Sequence, residues 1–252
     1  MNGLSLASEV KSISDTLKEA LQPKTIDIFG WEVGAGVVSA FLVTITVTIL
    51  CLVIRFVSLK EYKAVPTGVQ LILEKAVTFF ENIAKGAGHS ASKYVAPLIF
   101  GTAVFIFFGT FIEMFAPKPV FADLNAGIAV GIVGFVTIQG LGLKEKGLGG
   151  RIKAQFGGGN KILGPIVGFF KTLSDIILPF SMALRLYGSI LSGMLIMEII
   201  YFALEWLWAA WFIPLVGVVP GILSVAFTIF HAVIQAYVFA LLVAMFTGEA
   251  VE

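Results

Sequence analysis

Two mostly apolar stretches, residues 162–204 and 209–247, fill the last third of this 252-residue chain. Hydrocarbon offers a peptide group no hydrogen-bond partner, so a stretch of this kind in a bilayer must close its backbone bonds internally, as helix. Forty helical residues extend about 60 Å, whereas the hydrocarbon core is about 30 Å thick. Ordinary tilts of about 0–40° do not absorb that excess. Either each stretch breaks at a proline (Pro165, Pro179, Pro214, Pro220) or both lie steeply inclined. Trp206, Trp208 and Trp211 mark the turn between them as an interface, read as the outer one.

Arg185 stands inside the first of these stretches, with no acid within nine residues on either side. A charge at mid-membrane costs roughly 2.5–3.5 kcal/mol on insertion scales. Guanidinium cannot escape that cost by deprotonation, since its pKa lies above ~12. The residue therefore requires a counter-charge from another helix or another subunit, a water-filled cavity, or both. That requirement points to ion movement across a membrane.

The remainder of the chain is consistent with a polytopic membrane protein. Only 13% of its residues are charged, against about 25% in soluble domains. The net charge of +1 gives no reason to expect nucleic acid as a partner. Cys51 is the single cysteine, which excludes an internal disulfide and a thiolate metal site. No Walker loop, zinc spacing or nucleophile motif is present, so no cofactor, metal or chemical catalysis by the chain alone is expected. The first thirty residues lack the basic and apolar regions of a cleavable signal.

The expected fold class is all-α. An N-terminal amphipathic surface segment (residues 1–30, helix about 5–21) precedes a single membrane domain over 31–252. Spans are expected at about 33–57, 94–115 and 124–143, with a second amphipathic helix at 67–86 and an inclined hairpin of 162–204 and 209–247. Lys144, Lys146, Arg151, Lys153 and Lys161 form the most basic loop, which the positive-inside rule assigns to the cytoplasm. Counting spans from there puts Arg55, Lys60 and Lys63 inside as well, the N-terminus outside and the C-terminus in the cytoplasm.

Ser224, Thr228, His231 and Gln235 recur at spacings of four, three and four and so share one helix face. A turn near residue 210 brings Gln235 opposite Arg185 and His231 opposite Ser189. Polar side chains from two helices thereby converge on a buried cation, as in a water-lined passage. The plainer alternative is that they are packing residues, with hydroxyls bonded to their own backbone.

The stretch Pro179-Phe-Ser-Met-Ala-Leu-Arg-Leu-Tyr-Gly-Ser189, the later Ile234-Gln-Ala-Tyr-Val-Phe-Ala-Leu-Leu242, and Ala122-Asp-Leu-Asn125 resemble signature segments of subunit a of the F-type ATP synthase. Gly142-Leu-Lys-Glu-Lys-Gly147 is similar to that family too, and the resemblance runs from about residue 60 to 247. It implies a bacterial inner-membrane stator beside a c-ring and peripheral-stalk b subunits, embedded in the lipid bilayer. It further implies two offset half-channels that carry protons or sodium to the ring's carboxylates, with Arg185 as the electrostatic barrier between them. Asp123 and Asn125 fall in one of the signature segments. Asp123 reads either as the N-cap of the third span or as a channel-mouth acid.

Several positions depart from the family pattern. Ser189 stands where Asn is usual, Met194 and Lys171 where acids are common, and Thr228 where Glu or His is common. Glu198, His231 and Asp175 lie within a turn of these positions as replacements. Each has a plainer reading: a helix-end charge for Glu198, a packed histidine, and an i,i+4 pair of Asp175 with Lys171. The competing function is a self-contained channel or secondary transporter. Such proteins often show internal repeats, and this chain shows none.

Overall fold

The computed structural model describes residues 25–28, 31–58, 66–112, 119–156, 163–208 and 213–251. The amphipathic helix expected at 5–21 lies outside these residues. The first described element went unread in the sequence: strands β1 (Thr25–Ile28) and β2 (Trp31–Gly34) pair antiparallel, with Thr25 opposite Gly34 and Ile28 opposite Trp31. Helix α1 (Ala35–Val53) follows directly and loosens into a π-helical turn over Ile54–Ser58.

Helix α2 (Val69–Ala84) falls within the helix expected at 67–86, with Leu73, Ala76, Phe80 and Ile83 part-buried, while Ile72 is exposed and Gln70 is buried. Its Phe80 ring meets Phe100 edge-on, and Phe79 lies against Tyr237. A 3-10 turn over Lys85–Ala87 leads into α3 (His89–Phe111), which starts earlier than the span expected at 94. After a second short turn at Val120–Ala122 comes α4 (Leu124–Phe156), longer than the expected 124–143. The helix is interrupted at Gly147, whose φ of 66° and ψ of 168° are non-helical and open to glycine without strain, so α4 kinks there and its first, continuous part closes near the expected 143.

Helices α5 (Leu163–Trp208) and α6 (Ile213–Val251) form the long hairpin. Neither breaks at its prolines. Pro179 removes one i−4 hydrogen bond from α5, yet the helix continues through it. In membranes such a loss is tolerated where a neighbouring helix packs closely. That neighbour is α4: a Cβ on Gly131 would fall 2.5 Å from the Pro179 carbonyl oxygen, and one on Gly127 would fall 3.0 Å from that of Ala183. Gly127 and Gly131 thus form a small-xxx-small seam. Of the two alternatives left open by length, proline breaks are excluded within the described residues.

The core is a narrow apolar seam. Val95, Ile99, Ala103 and Ile106 of α3 face Phe239, Ala240, Val243 and Ala244 of α6, with Met182, Leu186 and Ile190 of α5 completing it. The outside is apolar too: Phe41 is 66% exposed on α1 and Phe170 63% on α5. Soluble proteins rarely leave apolar surface of this extent uncovered. Among the described residues, five helices are long and apolar enough to cross a membrane: Ala35–Val57, Ala91–Phe111, Leu124–Gly150, Pro165–Met197 and Gly221–Val251.

Candidate functional site

The register of α5 against α6 is set by two contacts far apart on the hairpin. Near one end, Lys171 Nζ lies 3.6 Å from Glu249 Oε1. Further along, Gly193 sits so close to Phe227 that a Cβ would fall 2.9 Å from its ring. Arg185 is as many residues from Lys171 as Gln235 is from Glu249, and as many from Gly193 as Gln235 is from Phe227. The same equality holds for Ser189 and His231. Arg185 and Gln235 therefore share one level of the hairpin, and Ser189 and His231 share the next turn.

The side chains at these levels differ in environment. Arg185 is exposed, on a surface that also exposes Ile177, Phe180 and Leu184. Among the described residues no carboxylate forms an ion pair with it. Gln235 and Thr228 are buried on α6. His231 is half-buried, with its ring stacked on Phe227 at 6.0 Å, and its Nε2 is enclosed without a hydrogen-bond partner. Ser189 Oγ donates to the Leu186 carbonyl at 2.9 Å, the backbone bond expected of a packed serine, so its proton is already committed.

Other predicted positions fall away from this level. Asp175 is half-buried on α5, between Arg185 and Lys171. Lys171 reaches across the hairpin to Glu249, a partner that spacing within one helix does not reveal. Glu198 lies on α5 toward Trp206, and its side chain is outside the described residues. Asn125 is exposed in the first turn of α4.

Asp123 occupies the residue before α4, as an N-cap would, and its backbone carbonyl accepts from the Ala126 N–H at 3.1 Å. Its side chain, however, goes elsewhere. Oδ2 accepts from the N–H of Gly36 at 2.9 Å and so caps α1. A Cβ on Gly36 would collide with that carboxylate, so glycine is what admits it. The expected side-chain cap of the third span is thus corrected: a free donor at the start of α1 competes for the same oxygen. Asp123→Ala should cost about 0.5–2 kcal/mol of stability, as loss of a cap does. Asp123→Asn keeps an acceptor and should lose less. Thermal unfolding of the two variants checks this, whereas a channel-mouth acid would make both equally defective in ion entry.

The shared level predicts a cross-link. With Cys51 replaced, cysteines at positions 185 and 235 should join through a short bifunctional reagent. Preferential joining of 185 to the region around 220 would shift the register by several turns.

The comparisons with known proteins agree with this architecture. The family model described as ATP synthase A chain matches residues 40–248. The ATP synthase subunit a of Geobacter sulfurreducens is 28% identical over 222 residues, covering 88% of this chain and 90% of that protein. ATP synthase subunit a 1 of Pelobacter propionicus is 30% identical over 223 residues, with coverage of 88% and 90%. The corresponding protein of Trichlorobacter lovleyi is 29% identical over 215 residues. With that match extending over most of the described helices, from α1 to the end of α6, the chain belongs to the ATP synthase A chain family.

Proposed function

We propose that this chain is the membrane stator of a bacterial F-type ATP synthase, which passes protons or sodium ions between the two sides of the membrane and a rotating c-ring. The observation that carries the reading is the exposed Arg185, set on an apolar helix face with no acid among the described residues paired to it. A cation so placed needs a counter-charge or water from beyond its own helix face, and this reading assigns the counter-charge to an adjoining subunit. A mid-membrane carboxylate on each ring subunit does so. Arg185 then attracts each passing carboxylate in its ionised form and blocks direct leakage between the two half-channels. It acts as a barrier and not as an acid or base, and phosphate chemistry belongs to a separate soluble head.

The long α5 and α6, unbroken and inclined, wrap the ring. Peripheral-stalk b subunits and lipid cover the remaining apolar surface. The basic stretch from Lys144 to Lys161, at the end of α4 and beyond, lies in the cytoplasm with the C-terminus, and the N-terminus lies outside. On this topology Glu198, His231 and Thr228 belong to the outer half-channel and Asp175 to the inner one. The place of His231 on α6, at the level of Ser189 and one turn from that of Arg185, supports its part in the outer path.

The test uses the purified complex in sealed vesicles. Glu198→Gln should slow ion entry from outside, and Asp175→Asn should affect that side less. His231→Leu should impair a proton-driven enzyme strongly and a sodium-driven one mildly, because imidazole relays protons near neutral pH. Wild-type conductance in both carboxylate variants would remove these acids from the path. A chain that purified as an active channel without a c-ring would overturn the stator reading itself.

A further inference from the structure

Helices α2 and α3 border a half-open cavity of about 420 Å³ at the end of the bundle that carries Lys144. Val77 and Glu81 line it from α2, Lys85 from the 3-10 turn that follows, and Lys93, Pro97 and Phe100 from α3. Its size is within the range of small-ligand pockets, about 300–1,000 Å³. Its rim and wall differ in chemistry. Lys85 and Lys93 bring two positive charges to the rim and Glu81 one negative charge, so the rim carries one net positive charge. Val77 and Phe100 form an apolar wall.

Each rim group has bonding capacity to spare. Lys85 Nζ donates one hydrogen bond to Asn82 Oδ1 at 2.7 Å, and an ammonium has three donors. Pro97, inside α3, has no N–H to offer the Lys93 carbonyl, its partner one helical turn back. The cavity therefore presents cationic donors, a carboxylate and a backbone acceptor beside an apolar wall. The neighbouring Lys144 ammonium is taken up by the Tyr94 ring, 3.7 Å from its centroid, which marks this end as an interfacial belt.

We propose that this cavity is a binding site for an anionic glycerophospholipid. The phosphodiester lies between Lys85 and Lys93, headgroup hydroxyls donate to Glu81 and to the Lys93 carbonyl, and an acyl chain runs along Val77 and Phe100. Basic pockets between helices at the cytoplasmic face commonly hold such headgroups. The single net positive charge matches one phosphodiester, and Glu81 repels a ligand of higher charge. A free phosphate would share the ionic contacts but gain nothing from the apolar wall. The side assignment rests on the topology proposed above; the site itself does not, because lipid binding is read out without ion transport.

The test uses the intact complex with a photoactivatable phosphatidylglycerol, with labelling mapped to the segment spanning residues 77–100. The double variant Lys85→Gln/Lys93→Gln should weaken labelling about thirtyfold, from the loss of two cations near a membrane surface. Lys146→Gln, outside the cavity, should leave it unchanged. Unlabelled phosphatidylglycerol should compete better than phosphatidylethanolamine, and millimolar inorganic phosphate should not compete. Equal labelling of the double variant overturns the site. Competition by inorganic phosphate makes it an anion site and overturns the lipid. Labelling of the isolated chain but not of the complex means that another subunit fills the cavity, and overturns the proposal as well. All these outcomes are separable from failure of the stator reading, because the chain's co-purification with a c-ring is scored independently.

Discussion

Replacing Arg185 with alanine is expected to abolish ion-driven ATP synthesis while leaving ATP hydrolysis by the detached soluble head intact. The side chain is the one cation in an otherwise apolar surface formed by Ile177, Phe180 and Leu184, and no described acid pairs with it. On the proposed reading its charge is directed at a partner outside the chain. Alanine removes that charge without disturbing a packed core position, since Arg185 is exposed while Met182, Leu186 and Ile190 provide the buried face of the same helix. Lysine should fail as well. An ammonium in a dry contact can shed its proton, and it lacks the planar fork that engages a carboxylate through two bonds. Near-normal coupled synthesis by Arg185→Ala in reconstituted vesicles would sink the assignment. Passive ion leak should rise in the same variant, because on the proposed reading Arg185 is the barrier between the half-channels.

The second large effect is expected at Gly131. A leucine there places its Cβ 2.5 Å from the Pro179 carbonyl oxygen, where even a weak C–H···O contact needs about 3.3–3.6 Å. The three atoms nearest that Cβ are all backbone of α5, so no side chain can rotate out of the way. α4 and α5 must separate, and overpacking of this kind costs about 1–3 kcal/mol or more. Separation also moves the segment that holds Arg185, so assembly with the ring and coupled activity should fall together. Gly140 on the same helix is the internal control: nothing lies within 4 Å of a Cβ there. Gly140→Leu should leave complex yield and unfolding temperature near wild type. Equal tolerance at both positions would mean that the seam is not close-packed in the membrane.

Much of this architecture was legible in the residues because bilayer physics leaves few choices. Runs such as Ala35–Val57 and Leu124–Gly150 can satisfy their backbones in hydrocarbon only as helix. The stripe of α2 announces an amphipathic element by its period. Arg185 declares itself by cost alone, and a turn near residue 210 suffices to bring Gln235 to its level. The short pairing of β1 with β2 was not legible, since four-residue strands beside a membrane helix carry too little alternation to stand out.

What the chain alone determines is therefore which segments are helical and apolar, and where an unpaired charge requires an outside partner. Both follow from local composition and the solvent. Only the tertiary structure decides how long each helix runs and what each polar group bonds. Pro179 stays within an unbroken α5, and Gly131 of α4 packs against its carbonyl. Whether Asp123 caps its own helix depends on a competing N–H at Gly36, brought to it by the packing of α1. Lys171 has its partner, Glu249, on the opposite strand of a long hairpin. Each is a choice between near-equal local bonds, and such choices are resolved by neighbours distant in sequence.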